Sequence, residues 1–168
     1  LLPIAVRVGN INGLIAIRDG IALAMPLIII GSVFLIISSF PISGWTEGLG
    51  QLADGRLLQM MNHVVNSSFG IMGLIAAFGI GRGMANQYQV DGTSAGVLAV
   101  SAWVILTPNI LSEEGQGIPV TYLGSRGIFI AIVVGLITAW IFQWFIRHNI
   151  VIKMPESVPP AVSRSFAA

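Results

Sequence analysis

The segment IALAMPLIIIGSVFLIISSF, residues 21–40, contains twenty residues and no charged side chain. As an α-helix it is roughly 30 Å long, which matches the hydrocarbon thickness of a lipid bilayer. A buried helix of a soluble protein normally keeps a polar stripe, and this segment has none. We therefore predict a membrane span with a kink at Pro26, because proline cannot donate to the hydrogen-bond ladder of the helix.

The whole chain has the composition of an integral membrane protein. Of its 168 residues, 55% are hydrophobic and 9% are charged, whereas about a quarter of the residues in an average soluble domain are charged. The net charge is +1, which implies no nucleic acid or other polyanion as a partner. Cysteine is absent, which excludes disulfides, thiolate metal sites and a phosphocysteine on this chain.

Three further runs of apolar residues predict three more spans, at residues 67–86, 93–111 and 127–146. The fold class is therefore predicted to be an all-α integral membrane protein with about four transmembrane helices. Residues 67–86 are rich in Gly and Ala, which let another helix approach closely.

Segments on either side complete the predicted organisation. Residues 1–19 have apolar side chains at helical spacing, which predicts an interfacial amphipathic helix; an ordinary packed helix fits the same pattern. Residues 20–150 form the predicted four-span domain. The proline-rich residues 151–168 are predicted to connect to a missing carboxy-terminal half, because the sequence starts and stops in mid-pattern.

The basic residues predict the orientation of the spans. With four spans, both termini lie on one side, and that side receives six of the eight Lys and Arg residues. The other side receives Arg56 and Arg126. Because basic residues are enriched in cytoplasmic loops, both ends of this chain are predicted to be cytoplasmic.

Three stretches resemble one protein family: AIRDGIALAMPLIIIGSVFLI (16–36), QVDGTSAGVLAVSAWVILTP (89–108) and KMPESVPPAVSRSFAA (153–168). They are similar to the membrane component, enzyme IIC, of bacterial phosphoenolpyruvate-dependent sugar phosphotransferase systems, in the lactose/cellobiose/diacetylchitobiose branch. The third stretch is the most specific, since it resembles the segment between the two halves of these transporters. The resemblance covers essentially the whole chain but only the amino-terminal portion of a family member.

The resemblance implies a homodimeric permease of the bacterial cytoplasmic (inner) membrane that imports a β-linked disaccharide such as cellobiose or chitobiose. The implied partners are cytoplasmic IIA and IIB components, and phosphocysteine on IIB would phosphorylate the arriving sugar. This chain is then expected to build the dimer interface, whereas the missing half binds most of the sugar. The alternative is a free-standing four-span assembly or regulatory protein without transport activity.

Few residues suggest chemistry of their own. His63 and His148 are predicted to lie at opposite membrane faces, so they cannot share a metal ion. Glu113 and Glu114 are adjacent residues of an outer loop, where solvated side chains are expected. We predict no catalytic residues, no metal site and no cofactor on this chain.

Arg82, Asp91 and Trp103 are the candidate substrate-binding residues. Arg82 and Asp91 are charges at a membrane edge, where charges are costly and often functional. Arg82 would contact a sugar hydroxyl or an incoming phosphoryl group, and the mid-span Trp103 would stack on a sugar ring. A positive-inside anchor for Arg82 and a lipid-facing or dimer-packing role for Trp103 are the open alternatives.

Overall fold

The computed structural model describes residues 11–112, 115–148 and 150, and most of them are helical. The α-helices are α1 (Asn12–Ala22), α2 (Met25–Ser38), α3 (Trp45–Gln51), α4 (Arg56–Gly70), α5 (Met72–Gln87), α6 (Gly92–Leu106), α7 (Val120–Leu123) and α8 (Ser125–Arg147). A 3-10 helix, Leu52–Gly55, precedes α4. An antiparallel hairpin of β1 (Ile110–Ser112) and β2 (Gly115–Gly117) lies between α6 and α7.

Among the described residues, three helical stretches are long and apolar enough to cross a membrane: Asn12–Ser38, Arg56–Gln87 and Ser125–Arg147. The shorter Gly92–Leu106 is also apolar. The predicted fold class, an all-α membrane protein, is therefore confirmed.

Helix α5 lies at the centre of a bundle and packs against α1, α6 and α8. Most of its buried residues are Gly or Ala, and Ile80 is the largest. Small residues let helix backbones approach closely, so that three neighbours fit around one helix. A Cβ atom added to Gly79 would lie 2.5 Å from the carbonyl oxygen of Gly20, which shows how closely α1 and α5 touch.

Contacts at small residues show the directions of the helices relative to α5. Helices α1 and α6 run antiparallel to α5, whereas α8 runs parallel to it. The contacting pairs are Ala16 and Gly83, Gly20 and Gly79 for α1; Gly92 and Arg82, Gly96 and Phe78 for α6; Gly127 and Gly73, Gly135 and Ile80 for α8. Arg82, Arg147 and the α5–α6 turn therefore lie at one end of the bundle, and the start of α8 lies at the other.

Helices α2 and α4 form an arm, which we define as residues 25–38 and 56–70. They pack against each other and make few contacts with the bundle. Gly31 permits this contact, since a Cβ atom added there would lie 2.9 Å from the Cβ atom of Ser68. Ile29 and Ile36 of α2 are 64% and 59% exposed, as expected of side chains that face lipid.

A break in the helix separates each arm helix from the bundle helix that adjoins it in the chain: α1 from α2, and α4 from α5. The helix ladder breaks at Leu23 and Ala24 although both keep helical backbone angles. Pro26 explains the break, since it has no N–H to donate to the carbonyl of Ala22. Ile71, with φ −113° and ψ 9°, separates α4 from α5.

The helix bounds differ from the predicted spans in three places. The first span is predicted at residues 21–40, whereas the helical stretch is Asn12–Ser38, with a break at Leu23 and Ala24. Residues 67–70, predicted to begin the second span, end α4, and α5 begins at Met72. Residues 107–111, predicted to end the third span, lie beyond α6. Thr107 has an extended backbone with ψ 130°, because a residue before proline disfavours the helical region.

The predicted interfacial helix and connector fall partly or wholly outside the described residues. Residues 12–19 belong to α1, which packs against α5 as the packed-helix alternative requires. Residues 1–10 and the predicted connector at 151–168 lie outside the described ranges. The division into domains stays a prediction.

Candidate functional site

Arg82 and Asp91 lie together at the end of the bundle where α5 turns into α6. The turn is tight: Gln89 adopts a left-handed backbone with φ 60°, and the Val90 N–H donates to the carbonyl of Ala85 at 3.1 Å. Helix α6 then begins at Gly92. The turn places one predicted site residue on α5 and the next just before α6.

Asp91 is the N-cap of α6. Its carboxylate oxygens accept from the backbone N–H groups of Thr93 at 3.2 Å and Ser94 at 2.9 Å. Hydrogen bonding by Ser94, through its side chain and backbone, and by the Thr93 N–H lowers the pKa of Asp91 below 3.8. The carboxylate is therefore charged and engaged with the helix terminus.

Trp103 lies inside the bundle, away from this turn. Its side chain is 0% exposed, and its Nε1 donates to the carbonyl of Gly127 at 3.2 Å. Helical rise separates Asp91 and Trp103 by about 18 Å along α6. The structure thus brings Arg82 close to Asp91 but does not bring Trp103 to them, and the indole presents no surface to a ligand.

Arg82 lines an open groove of about 320 Å³ between α1 and α5. The lining residues are Asp19 and Leu23 of α1 and Gly79, Arg82, Gly83, Asn86 and Gln87 of α5. We call this the α1–α5 groove. Its α5 wall changes along the helix from Gly79 to the polar Arg82, Asn86 and Gln87.

The charges around the α1–α5 groove do not cancel. Asp19 pairs with its neighbour Arg18, whose Nε lies 2.7 Å from the carboxylate, and both side chains are more than half exposed. Within the part of the chain that the structure describes, Arg82 has no ion-pair partner. Two charged side chains therefore line the groove: Arg82, which has no such partner, and Asp19, which is paired with Arg18 outside the lining.

Gly92 lies close to two residues at the polar end of the groove. A Cβ atom added to Gly92 would meet the Oδ1 atom of Asn86 and lie 3.0 Å from the Cγ atom of Arg82. Arg82 and Asn86, one helical turn apart on α5, thus lie against the first residue of α6.

Sequence reasoning found Arg82 but missed the other residues of the groove. The signal within α5 was present, because Gly79, Arg82, Gly83 and Asn86 are three or four residues apart and share one helix face. What the sequence did not indicate is that α1 forms the other wall of the groove. Asp19 and Leu23 precede Arg82 by about sixty residues, and no periodicity pairs the two segments.

A second cavity, of about 470 Å³, lies at the other end of the bundle where the arm meets α7 and α8. Its polar lining residues are Asn66, Thr121, Ser125 and Arg126. Across the described ranges, no cluster of three His, Asp or Glu residues suits a metal ion.

Comparison with known proteins identifies a family. Residues 18–168 match the family model described as phosphotransferase system, EIIC. The chain is 44% identical to the putative permease IIC component YwbA of Bacillus subtilis and 39% identical to the cellobiose-specific EIIC component of Geobacillus stearothermophilus. Both alignments cover 100% of this chain and 40% of the relative.

A solved structure matches as well. It is that of the transporter ChbC, the IIC component of an N,N'-diacetylchitobiose-specific phosphotransferase system, with a TM-score of 0.87 and 37% identity. The match covers 99% of this chain and 41% of that chain. This chain therefore spans about 40% of the length of the relatives it matches.

Proposed function

This chain belongs to the EIIC family of the phosphotransferase system, and we propose that it forms the amino-terminal, dimer-forming part of a permease that imports a β-linked disaccharide. The match to ChbC carries the proposal, because it joins 37% identity to a TM-score of 0.87 over 99% of this chain. The relatives named for cellobiose, lichenan and oligo-β-mannoside support a β-linked sugar.

Phosphorylation of the sugar is proposed to come from a IIB partner that carries phosphocysteine and is itself charged by IIA. The absence of cysteine from this chain supports a donor elsewhere. The lactose-specific relatives are named EIICB components, which places a IIB unit beside a IIC unit in those proteins.

The orientation proposed from the sequence puts both ends of this chain in the cytoplasm of a bacterial inner membrane. The helix directions support it, since Arg18, Arg82 and Arg147 lie at one end of the bundle and Arg126 lies at the other. The end with more basic residues is expected to be cytoplasmic.

Transport by the full-length protein tests the proposed function. Proteoliposomes that hold the permease and enclose phosphorylated IIB should take up cellobiose or chitobiose and retain it as a phosphate ester. Calorimetry in detergent should show binding of the same sugar, and light scattering should give the mass of a dimer. A permease that binds neither sugar, or a monomer, contradicts the corresponding part of the proposal.

The sugar-binding role of Arg82, Asp91 and Trp103 stays a prediction. Exposure of Arg82 and its unpaired charge support a ligand role there, whereas Asp91 caps α6 and Trp103 is buried. Arg82→Ala in the full-length protein is expected to weaken sugar binding if Arg82 contacts the sugar. Unchanged affinity and uptake would remove Arg82 from the sugar site.

A further inference from the structure

We propose that the α1–α5 groove binds an anionic phospholipid, with the headgroup phosphodiester against Arg82 and one acyl chain along Leu23 and Gly79. The inference rests on the proposed function for one point, the orientation that places the Arg82 end at the cytoplasmic leaflet. The binding site itself follows from the shape, polarity and charge of the groove.

The polarity of the groove follows the polarity of a lipid molecule. Its α5 wall passes from Gly79 to the polar Gln87 within eight residues, a rise of about 12 Å towards the end of the bundle. Leu23, which is 44% exposed, is an apolar residue of the opposite wall. A ligand that is apolar towards the membrane centre and polar at its edge fits this gradient.

The charge of the groove favours an anion. Among the described residues, Arg82 lines the groove without an ion-pair partner, whereas the Asp19 carboxylate of the opposite wall is paired with Arg18. The side-chain amides of Asn86 and Gln87 add neutral hydrogen-bond donors at the same end. Basic pockets between transmembrane helices on the cytoplasmic side are known binding sites for anionic headgroups.

The floor of the groove is rigid and therefore suited to a persistent ligand. Gly79 contacts the backbone of Gly20, and a Cβ atom added to Gly83 would lie 3.3 Å from the Cα atom of Ala16. Neither contact has a side chain that can move to close the groove. The Cγ atom of Arg82 lies close to Gly92 on the other side.

Native mass spectrometry of the full-length permease tests the site. The probes are phosphatidylglycerol, zwitterionic phosphatidylcholine and inorganic phosphate, added to wild-type protein, Arg82→Gln and Arg82→Lys. Arg126→Gln is the matched control, because it removes the same charge at the other end of the bundle. Loss of one charged hydrogen bond is expected to weaken phosphatidylglycerol binding about tenfold in Arg82→Gln, with little change in Arg82→Lys or Arg126→Gln.

The outcomes separate this site from the proposed transport function. Equal binding of phosphatidylglycerol to wild type and Arg82→Gln overturns the proposal, and so does an equal loss in Arg126→Gln. Inorganic phosphate that displaces the lipid would identify a soluble anion as the ligand and also overturn it. Sugar binding by wild type, measured by calorimetry in the same detergent, tests the transport function independently of all these results.

Discussion

At the scale of single residues, the packing of the helices depends on glycines, which let the backbones of neighbouring helices come into contact. A Cβ atom added to Gly20 would lie 2.5 Å from the backbone nitrogen of Ile80, whereas one added to Gly13 of the same helix would find its nearest neighbour at 3.9 Å. Backbone atoms cannot rotate away as a flexible side chain can. The same substitution is therefore expected to have opposite effects at the two positions.

Gly20→Ala is expected to destabilise the permease by about 1–3 kcal/mol, the usual cost of overpacking a core. Gly13→Ala should be neutral or stabilising, since alanine is the better helix former. Thermal unfolding in detergent measures both. Equal melting temperatures for the two variants would show that α1 does not pack against α5 as described.

The capping carboxylate of Asp91 makes a prediction about pH. Its pKa is lowered in the folded protein because Ser94 and Thr93 donate to the charged form. The stabilisation is therefore complete above pH 3.8, the ordinary pKa of the group, and is lost as the pH falls through the lower folded value.

Asp91→Ala should cost about 1 kcal/mol at neutral pH, as is typical for removal of an N-cap, whereas Asp91→Asn should retain most of the stability because asparagine also caps helices. The difference between wild type and Asp91→Ala should shrink in strong acid. Thermal unfolding between neutral pH and pH 3 measures it. A constant difference would mean that the carboxylate charge is irrelevant to the cap.

At the scale of elements, the sequence left open whether the first helix lies on the membrane surface or packs in the protein. Residues 1–168 contain no cysteine, so an engineered pair has no competing thiol within this part of the protein. A Cβ atom added to Gly83 would lie 3.6 Å from the Cβ atom of Ala16, which is within the range found in disulfides, about 3.5–4.5 Å.

Ala16→Cys with Gly83→Cys is expected to form an intrachain disulfide on mild oxidation. Gly13→Cys with Gly83→Cys is the control, since Gly13 faces Leu136 of α8. Titration of free thiols in the unfolded protein reads out both pairs. Free thiols in the first pair after oxidation would favour the surface helix.

Some elements were predictable from the sequence for clear physical reasons. The long apolar runs predicted most of α2, α5, α6 and α8, because only a helix satisfies its own backbone in a bilayer. Pro26 predicted the break before α2. The break at Ile71 was not predicted, because Gly70 beside it is one of several small residues in an uncharged run and gives no distinct signal. The hairpin after α6 was not predictable, because residues 110 and 111 continue the uncharged run of the third span and strands of three residues are too short to show alternation.

At the scale of the whole molecule, residues alone identified the family, and the family model over residues 18–168 confirms it. The candidate site was less accessible to sequence reasoning. The roles of Arg82, Asp91 and Trp103 stay predictions: Arg82 lines the α1–α5 groove, Asp91 caps α6 and Trp103 is buried. The burial of Trp103 and the wall opposite Arg82 depend on which helices meet, and composition does not contain that information.

The proposed orientation can be tested on the whole molecule in intact cells. Thr121 and Gln87 are exposed residues at opposite ends of the bundle. A membrane-impermeant maleimide should label Thr121→Cys from outside and leave Gln87→Cys unlabelled until the cells are opened. The reverse pattern would invert the topology and place the α1–α5 groove at the outer leaflet.

The Gly and Ala residues at which α5 contacts its neighbouring helices also have a thermodynamic consequence. Gly and Ala have no side-chain rotamers to freeze, so at these positions packing onto α5 costs no side-chain entropy. The same residues offer no side chain that could rearrange to accommodate sliding where the backbones touch. We expect the bundle to move as a single rigid body during transport, with any change of shape confined to the elements outside it.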